Sequence, residues 1–144
     1  MDHYADSSFL VSCYLTDSNT ARAKTYLLNT AAPLVFCALH ALEVGNAFKL
    51  GVFRGLFSMA DATAAAANLD QDLRSGRLVR TTVRWPVAFR MGSLLSKNHS
   101  ARTGARTLDI LHIAVARSLR TTEFVSFDDR QRTLAGAIGL QVAP

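Results

Sequence analysis

PLVFCALHALEVGNAFKL, residues 33–50, decides the fold class. Pro33 leads into Leu34-Val35-Phe36-Cys37, an unbroken apolar run of buried-strand length, and from Ala38 to Lys49 the pattern turns helical. A strand running straight into a helix is the unit, and it recurs outward in both directions. Upstream, His3-Tyr4-Ala5 reads as a brief strand. Asp6-Ser7-Ser8 follows as a cap and Phe9-Leu10-Val11 begins a helix, with a second helix from Thr20 to Leu28. Downstream, the Ala-rich stretch Met59 to Leu69 is a helix of small residues, Gly76 punctuates, and Leu78 to Arg84 alternates as an edge strand would. Pro86 suits a helix start, a basic loop spans Ala101 to Arg106, and Leu108 to Leu119 is strongly helical with Thr107 as its cap. Phe124 to Phe127 is a further strand. Asp128-Asp129 then caps a helix to about Ile138, Gly139 stops it, and Leu140-Gln141-Val142 closes the series. Alternating short strands and helices predict an α/β fold: a sandwich around a short, largely parallel central sheet, with helix dominating by residue count.

With 144 residues, 49% of them hydrophobic, the chain is expected to form one domain spanning 1–144 without disulfide or metal staples. His40, Glu43, Asn46, Lys49 and Arg54 interrupt its longest apolar region, so no membrane span is expected. Met1-Asp2-His3-Tyr4 lacks the basic start and apolar core of a signal peptide, which points to the cytoplasm. Cys13 and Cys37 read as buried small hydrophobes. The formal charge is +5, unevenly spread: residues 1–73 hold four basic against seven acidic side chains, residues 74–144 twelve against four. A basic half of this kind suits an anionic partner. No glycine-rich nucleotide fingerprint, Walker-type loop, HExxH, CxxC or GxSxG elbow occurs.

Open α/β sheets bind ligands beyond the carboxyl ends of their strands, which draws attention to acids at strand-to-helix junctions. Asp6 and Asp128 stand at two such junctions, Asp109 in the first turn of its helix, and Glu43 on the helix that follows residues 34–37, sharing a face with Asn46. Each has a structural alternative. Asp favours caps and first turns, where it accepts backbone hydrogen bonds and meets the positive end of the helix dipole; Glu43 fits the solvated edge of an amphipathic helix. Were the four to converge, their repulsion would call for a cation, and carboxylate oxygens without a Cys or His cluster suit Mg²⁺ or Mn²⁺. His40 and His112 read as packed, hydrogen-bonded histidines. Arg74, Arg77, Arg80, Arg84, Lys97, His99, Arg102 and Arg106 would track a phosphate backbone or simply solvate the surface. Acids and cations together predict hydrolysis of a phosphodiester by a metal-dependent nuclease.

Four fragments in order carry a resemblance: Tyr4-Ala5-Asp6-Ser7-Ser8, residues 41–48 (ALEVGNAF), residues 108–114 (LDILHIA) and residues 124–131 (FVSFDDRQ). Together they resemble the PIN-domain nucleases, and within them the VapC-type toxins of type II toxin–antitoxin systems. On that resemblance the family's acids fall on Asp6, Glu43, Asp109 and Asp128, with Asp129 an alternative to the last and Ser126 orienting them. Asp6, Asp109 and Asp128 would be the metal ligands and Glu43 would complete the shell. The resemblance implies an α/β/α sandwich, a Mg²⁺- or Mn²⁺-dependent endoribonuclease acting on RNA, homodimerisation, and inhibition by a cognate antitoxin. Two alternatives stand beside it: a housekeeping PIN nuclease without an antitoxin, and a catalytically silent module that binds nucleic acid or protein through the basic half.

Overall fold

Period-two alternation in three-residue strands assigns the two faces of the sheet. In the computed structural model, which describes residues 3–144, Tyr4 and Ala5 point into different hydrophobic clusters, as do Val35 and Leu34, and Phe124 and Val125. Both faces of such strands are buried, which explains their unbroken apolar runs. The elements are β1 (His3–Ala5), α1 (Ser7–Tyr14), α2 (Thr20–Asn29), β2 (Leu34–Phe36), α3 (Ala38–Phe53), α4 (Met59–Ser75), β3 (Leu78–Arg80), α5 (Trp85–Thr103), α6 (Thr107–Ser118), β4 (Glu123–Val125), α7 (Asp129–Ala137) and β5 (Gln141–Ala143). All strand pairs are parallel, in the order β3-β2-β1-β4-β5. One cluster packs α1 to α4 on the sheet with Phe9, Leu10, Val44, Phe48 and Leu69; the other packs α5 to α7 with Ala88, Ile113, Val115 and Leu134. The fold is an α/β sandwich around a five-stranded parallel sheet. Among the described residues no helix is long and apolar enough to cross a membrane. Cys37 is buried, Cys13 is half-buried, and both are free thiols.

Three element ends differ from the sequence reading. The edge strand stops at Arg80 because its partner β2 ends at Phe36, leaving one more bond, Thr81 N–H to Phe36 O at 2.9 Å. Val83 turns into the core and Arg84 caps α5. The basic loop is mostly helix: α5 continues through Ala101 and Arg102 until Gly104 takes φ 66° and ends it. The cap of α6 is Arg106, and Thr107 is its first helical residue.

His40 ties α3 to β1. Its Nδ1 accepts the Cys37 N–H at 3.1 Å, and Nε2, 2.8 Å from Ala5 O, therefore carries the proton and donates. Burial, with His112 close by, pushes His40 from 6.5 down to about 3. The unfolded chain takes up this proton near the ordinary value and the folded chain refuses it. Stability from His40 is thus fully present above 6.5 and is lost as pH falls toward about 3. Denaturant melts across that window should show the slope, and His40→Gln, which keeps a donor for Ala5 O, should flatten it; an unchanged slope would assign the loss to other groups.

Candidate functional site

From β1 the chain steps outward to β2 and β3, then returns to the other side of β1 for β4 and β5. The order reverses between β1 and β4, and the crevice past their carboxyl ends is where an open parallel sheet takes its ligand. Asp6 follows β1 and Asp128 lies three residues after β4. The two strand ends are joined by Asp6 N–H donating to Val125 O at 3.0 Å. Asp6 caps α1, with Oδ1 accepting from Phe9 N at 2.9 Å and Oδ2 from Ser8 Oγ at 2.6 Å. Asp128 caps α7, its Oδ1 accepting from Arg130 N at 2.9 Å and Gln131 N at 3.0 Å. Both acids are therefore caps, and both also stand at the switch point.

Asp109 joins them through α7. Its Oδ2 accepts the Arg106 N–H at 3.0 Å, closing the first turn of α6, and its Oδ1 accepts from Gln131 Nε2 at 3.1 Å. Gln131, 2% exposed, accepts at Oε1 from Ser126 Oγ at 2.7 Å, and Ser126 in turn accepts the Asp128 N–H at 3.0 Å. A buried hydroxyl and a buried amide thus hold Asp109 and Asp128 in fixed relation. Asp129, next to Asp128, is exposed at the start of α7.

Glu43 reaches the same neighbourhood from α3. Its Oε1 accepts from Ser7 Oγ at 3.1 Å, on the first turn of α1, and from His112 Nε2 at 2.5 Å, one turn along α6 from Asp109. A recess of about 330 Å³ lined by Ser7, Ser8, Ser12, Asp17, Asn19 and Glu43 opens beside it. A larger one of about 420 Å³, between α5 and α6 against Phe89 and Ile110, is lined by none of the four acids.

The charges differ in kind. Burial raises the Asp6 carboxyl above its ordinary value; Asp128 adds to this, while the hydrogen bonds from the Ser8 hydroxyl and the Phe9 N–H oppose it. Burial also acts to raise Glu43, but the hydrogen bonds from His112 and Ser7 outweigh it and the net shift is downward. The donor set at Asp6, Asp109 and Asp128 is wholly carboxylate oxygen, which fits a hard divalent cation, and a cation would relieve the cost of charging Asp6 beside Asp128. Among the described residues no three His, Cys, Asp or Glu side chains close into a ready-made cage. The structure brings Asp6 within electrostatic reach of Asp128, links Asp109 to the Asp128 cap, and links Glu43 to the Asp6 helix.

The basic residues divide. Arg80, the last residue of β3, and Arg84, beyond it, are exposed at the carboxyl end of that strand, on the side of the acids. Arg74 and Arg77 precede β3, at the other end of the sheet, and Arg77 is paired with Asp72 at 3.1 Å. Arg106 Nε lies 3.3 Å from Asp109 Oδ2. Lys97 and Arg102 are exposed on α5. Arg22 sits over the Phe127 ring, 4.8 Å from its centroid.

Sequence reasoning gave no role to Gln131 or Ser7. Gln131 had a signal, since Asp128-x-x-Gln131 is the spacing of a capping box. Here the amide turns instead to Ser126 and Asp109. Ser7 had none.

The fold recurs in solved structures at low identity. VapC20 of Mycobacterium tuberculosis, described as a sarcin–ricin loop cleaving toxin, superimposes with a TM-score of 0.70 at 19% identity, over 99% of this chain and 100% of its own. FitAcB from Neisseria gonorrhoeae gives 0.68 at 14% identity over 99% and 96%. PAE2754 from Pyrobaculum aerophilum gives 0.60 at 17% over 99% and 83%. At such identities the likeness speaks for the fold. No curated protein sequence matches the chain. The family model for the PIN domain, however, matches residues 4–137, from Tyr4 in β1 to the end of α7 and across all four acids, and the chain belongs to the PIN domain family.

Proposed function

We propose that this PIN domain, spanning residues 1–144, is a Mg²⁺- or Mn²⁺-dependent endoribonuclease acting in the cytoplasm as the toxin of a type II toxin–antitoxin pair. The observation that supports it most is the pairing of Asp6 and Asp128 at the switch point, with Asp109 tied in by Gln131 and Glu43 by Ser7. On this reading Asp6, Asp109 and Asp128 hold the cation, which when bound supplies Lewis acidity and lowers the pKa of water. Glu43 completes the acidic shell with its charge sustained by His112 and Ser7. Arg80 and Arg84, at the same end of the sheet, draw in the phosphate backbone. RNA as substrate, a cognate antitoxin and a homodimer follow from the resemblance to VapC-type toxins, and the description of VapC20 supports the first.

The purified chain is expected to cut single-stranded or hairpin RNA with added Mg²⁺ or Mn²⁺, to lose that activity in excess chelator, and to regain it when the metal is restored. Cleavage that persists in chelator would reject the metal-dependent reading. RNA binding without turnover under either metal would favour a silent binding module.

A further inference from the structure

His112 is 3% exposed, yet both of its ring nitrogens are engaged. Nε2 lies 2.5 Å from Glu43 Oε1, and because an ionised carboxylate only accepts, Nε2 carries a proton. Nδ1 lies 2.8 Å from Tyr4 Oη. Tyr4 is fully buried and stacked on Phe124, ring centroids 5.9 Å apart. A phenol keeps its proton at neutral pH, so Tyr4 Oη can donate to Nδ1. The ring is then the Nε2–H tautomer, clamped between a hydroxyl on β1 and a carboxylate on α3. Both bonds to Glu43 land on Oε1, and Oε2 accepts none among the described residues.

We propose that His112, clamped by Tyr4, is a positioning residue for Glu43: it fixes Oε1 and leaves Oε2 as the carboxylate oxygen free to act on water or substrate in the crevice. The proposal rests on the nuclease reading above. A histidine needed only to fill this layer has an apolar substitute in leucine, which would pack on Tyr4 and His40 without drawing a carboxylate out of water. What the histidine adds is a directed N–H whose donor state is set from the far side of the ring.

Three variants test it: His112→Leu, His112→Gln and Tyr4→Phe, each assayed for kcat and KM on a fluorescent single-stranded RNA with Mn²⁺. Ring ¹⁵N spectra of the metal-free protein are recorded alongside. The wild type should show His112 as a fixed Nε2–H tautomer. His112→Leu should lose about 10²-fold in kcat with KM within about twofold, since only the aim of Glu43 is lost. His112→Gln, with an amide N–H for the same oxygen, should recover about tenfold of that. Tyr4→Phe keeps the aromatic stack and should give mixed tautomers and a lower kcat, which serves if His112→Leu fails to fold. A kcat in His112→Leu within twofold of wild type, a loss confined to KM, or a wild-type ring in the Nδ1–H form would overturn the proposal. A wild type that cuts no RNA under either metal would reject the nuclease reading instead. The spectra would still decide the clamp: a fixed Nε2–H supports it, and tautomer exchange overturns it.

Discussion

Replacing Asp109 with Asn is expected to lower RNA cleavage by about 10³-fold or more while the chain stays folded. The substitution removes a charge from the proposed cation site and keeps the shape. Its effect on folding follows from the network around it. Asp109 accepts from Arg106 N at Oδ2 and from Gln131 Nε2 at Oδ1, whereas an Asn side chain has one accepting oxygen and one donating nitrogen. With the oxygen kept on the Arg106 N–H, the new amide N–H would face the Gln131 NH₂. Rotating the Gln131 amide by half a turn resolves this, because its oxygen then accepts the new N–H and its nitrogen donates to Ser126 Oγ, whose proton is free to turn elsewhere. The expected cost is about 1 kcal/mol, the scale of one rearranged hydrogen bond. Thermal melts and a cleavage time course with Mn²⁺ check both halves. Undiminished cleavage would remove Asp109 from the reaction. Loss of the cooperative melt would mean that the amide cannot turn and that Asp109 is chiefly structural.

The strand-to-helix junctions were legible because a buried run and a helical period are local properties of the chain. Residues 33–50 contain both, and β2 and α3 begin where the pattern changes. The ends that moved are those fixed by a distant partner. β3 cannot outlast β2, its neighbour in the sheet although Phe36 and Thr81 lie 45 positions apart in the chain, and no pattern within 78–84 encodes where β2 turns away.

For the site, residue type and position marked Asp6, Asp109 and Asp128 as acids at helix starts, where they do lie, without separating cap from ligand. Their joint placement needed the strand order, since only the reversal between β1 and β4 sets Asp6 beside the end of β4. His112 reads from sequence as a packed, hydrogen-bonded histidine, and it is one. Its partner Glu43 is 69 residues away, a pairing that appears only once α3 and α6 meet across β1. Proximity in sequence also misled: Arg74 and Arg77 group with Arg80 and Arg84 along the chain, yet β3 carries the two pairs to opposite ends of the sheet.

Asp6→Asn should abolish cleavage to a similar extent and yet raise the melting temperature of the metal-free protein by a few degrees at neutral pH. Asp6 is 4% exposed, and burial lifts its carboxyl above the ordinary value of 3.8. An acid whose folded pKa is raised stabilises the fold while protonated, and that stability is lost as pH rises from its unfolded value through the folded one. At neutral pH the metal-free wild type therefore carries the full cost of a buried charge beside Asp128. The substitution removes that charge without orphaning a hydrogen bond. The amide oxygen can keep the Phe9 N–H, the amide nitrogen can donate to Ser8 Oγ once that hydroxyl turns round, and Asn is as good a helix cap as Asp. The gain over wild type should be largest near neutral pH and shrink as pH falls toward 3.8. Mn²⁺ should reverse the ranking by stabilising the wild type and leaving the variant unmoved. Melts at several pH values, with and without Mn²⁺, read all of this. A variant that melts below metal-free wild type at neutral pH would show that the ionised carboxylate is worth more to the α1 cap than its burial costs, and would count against a site held in reserve for a cation.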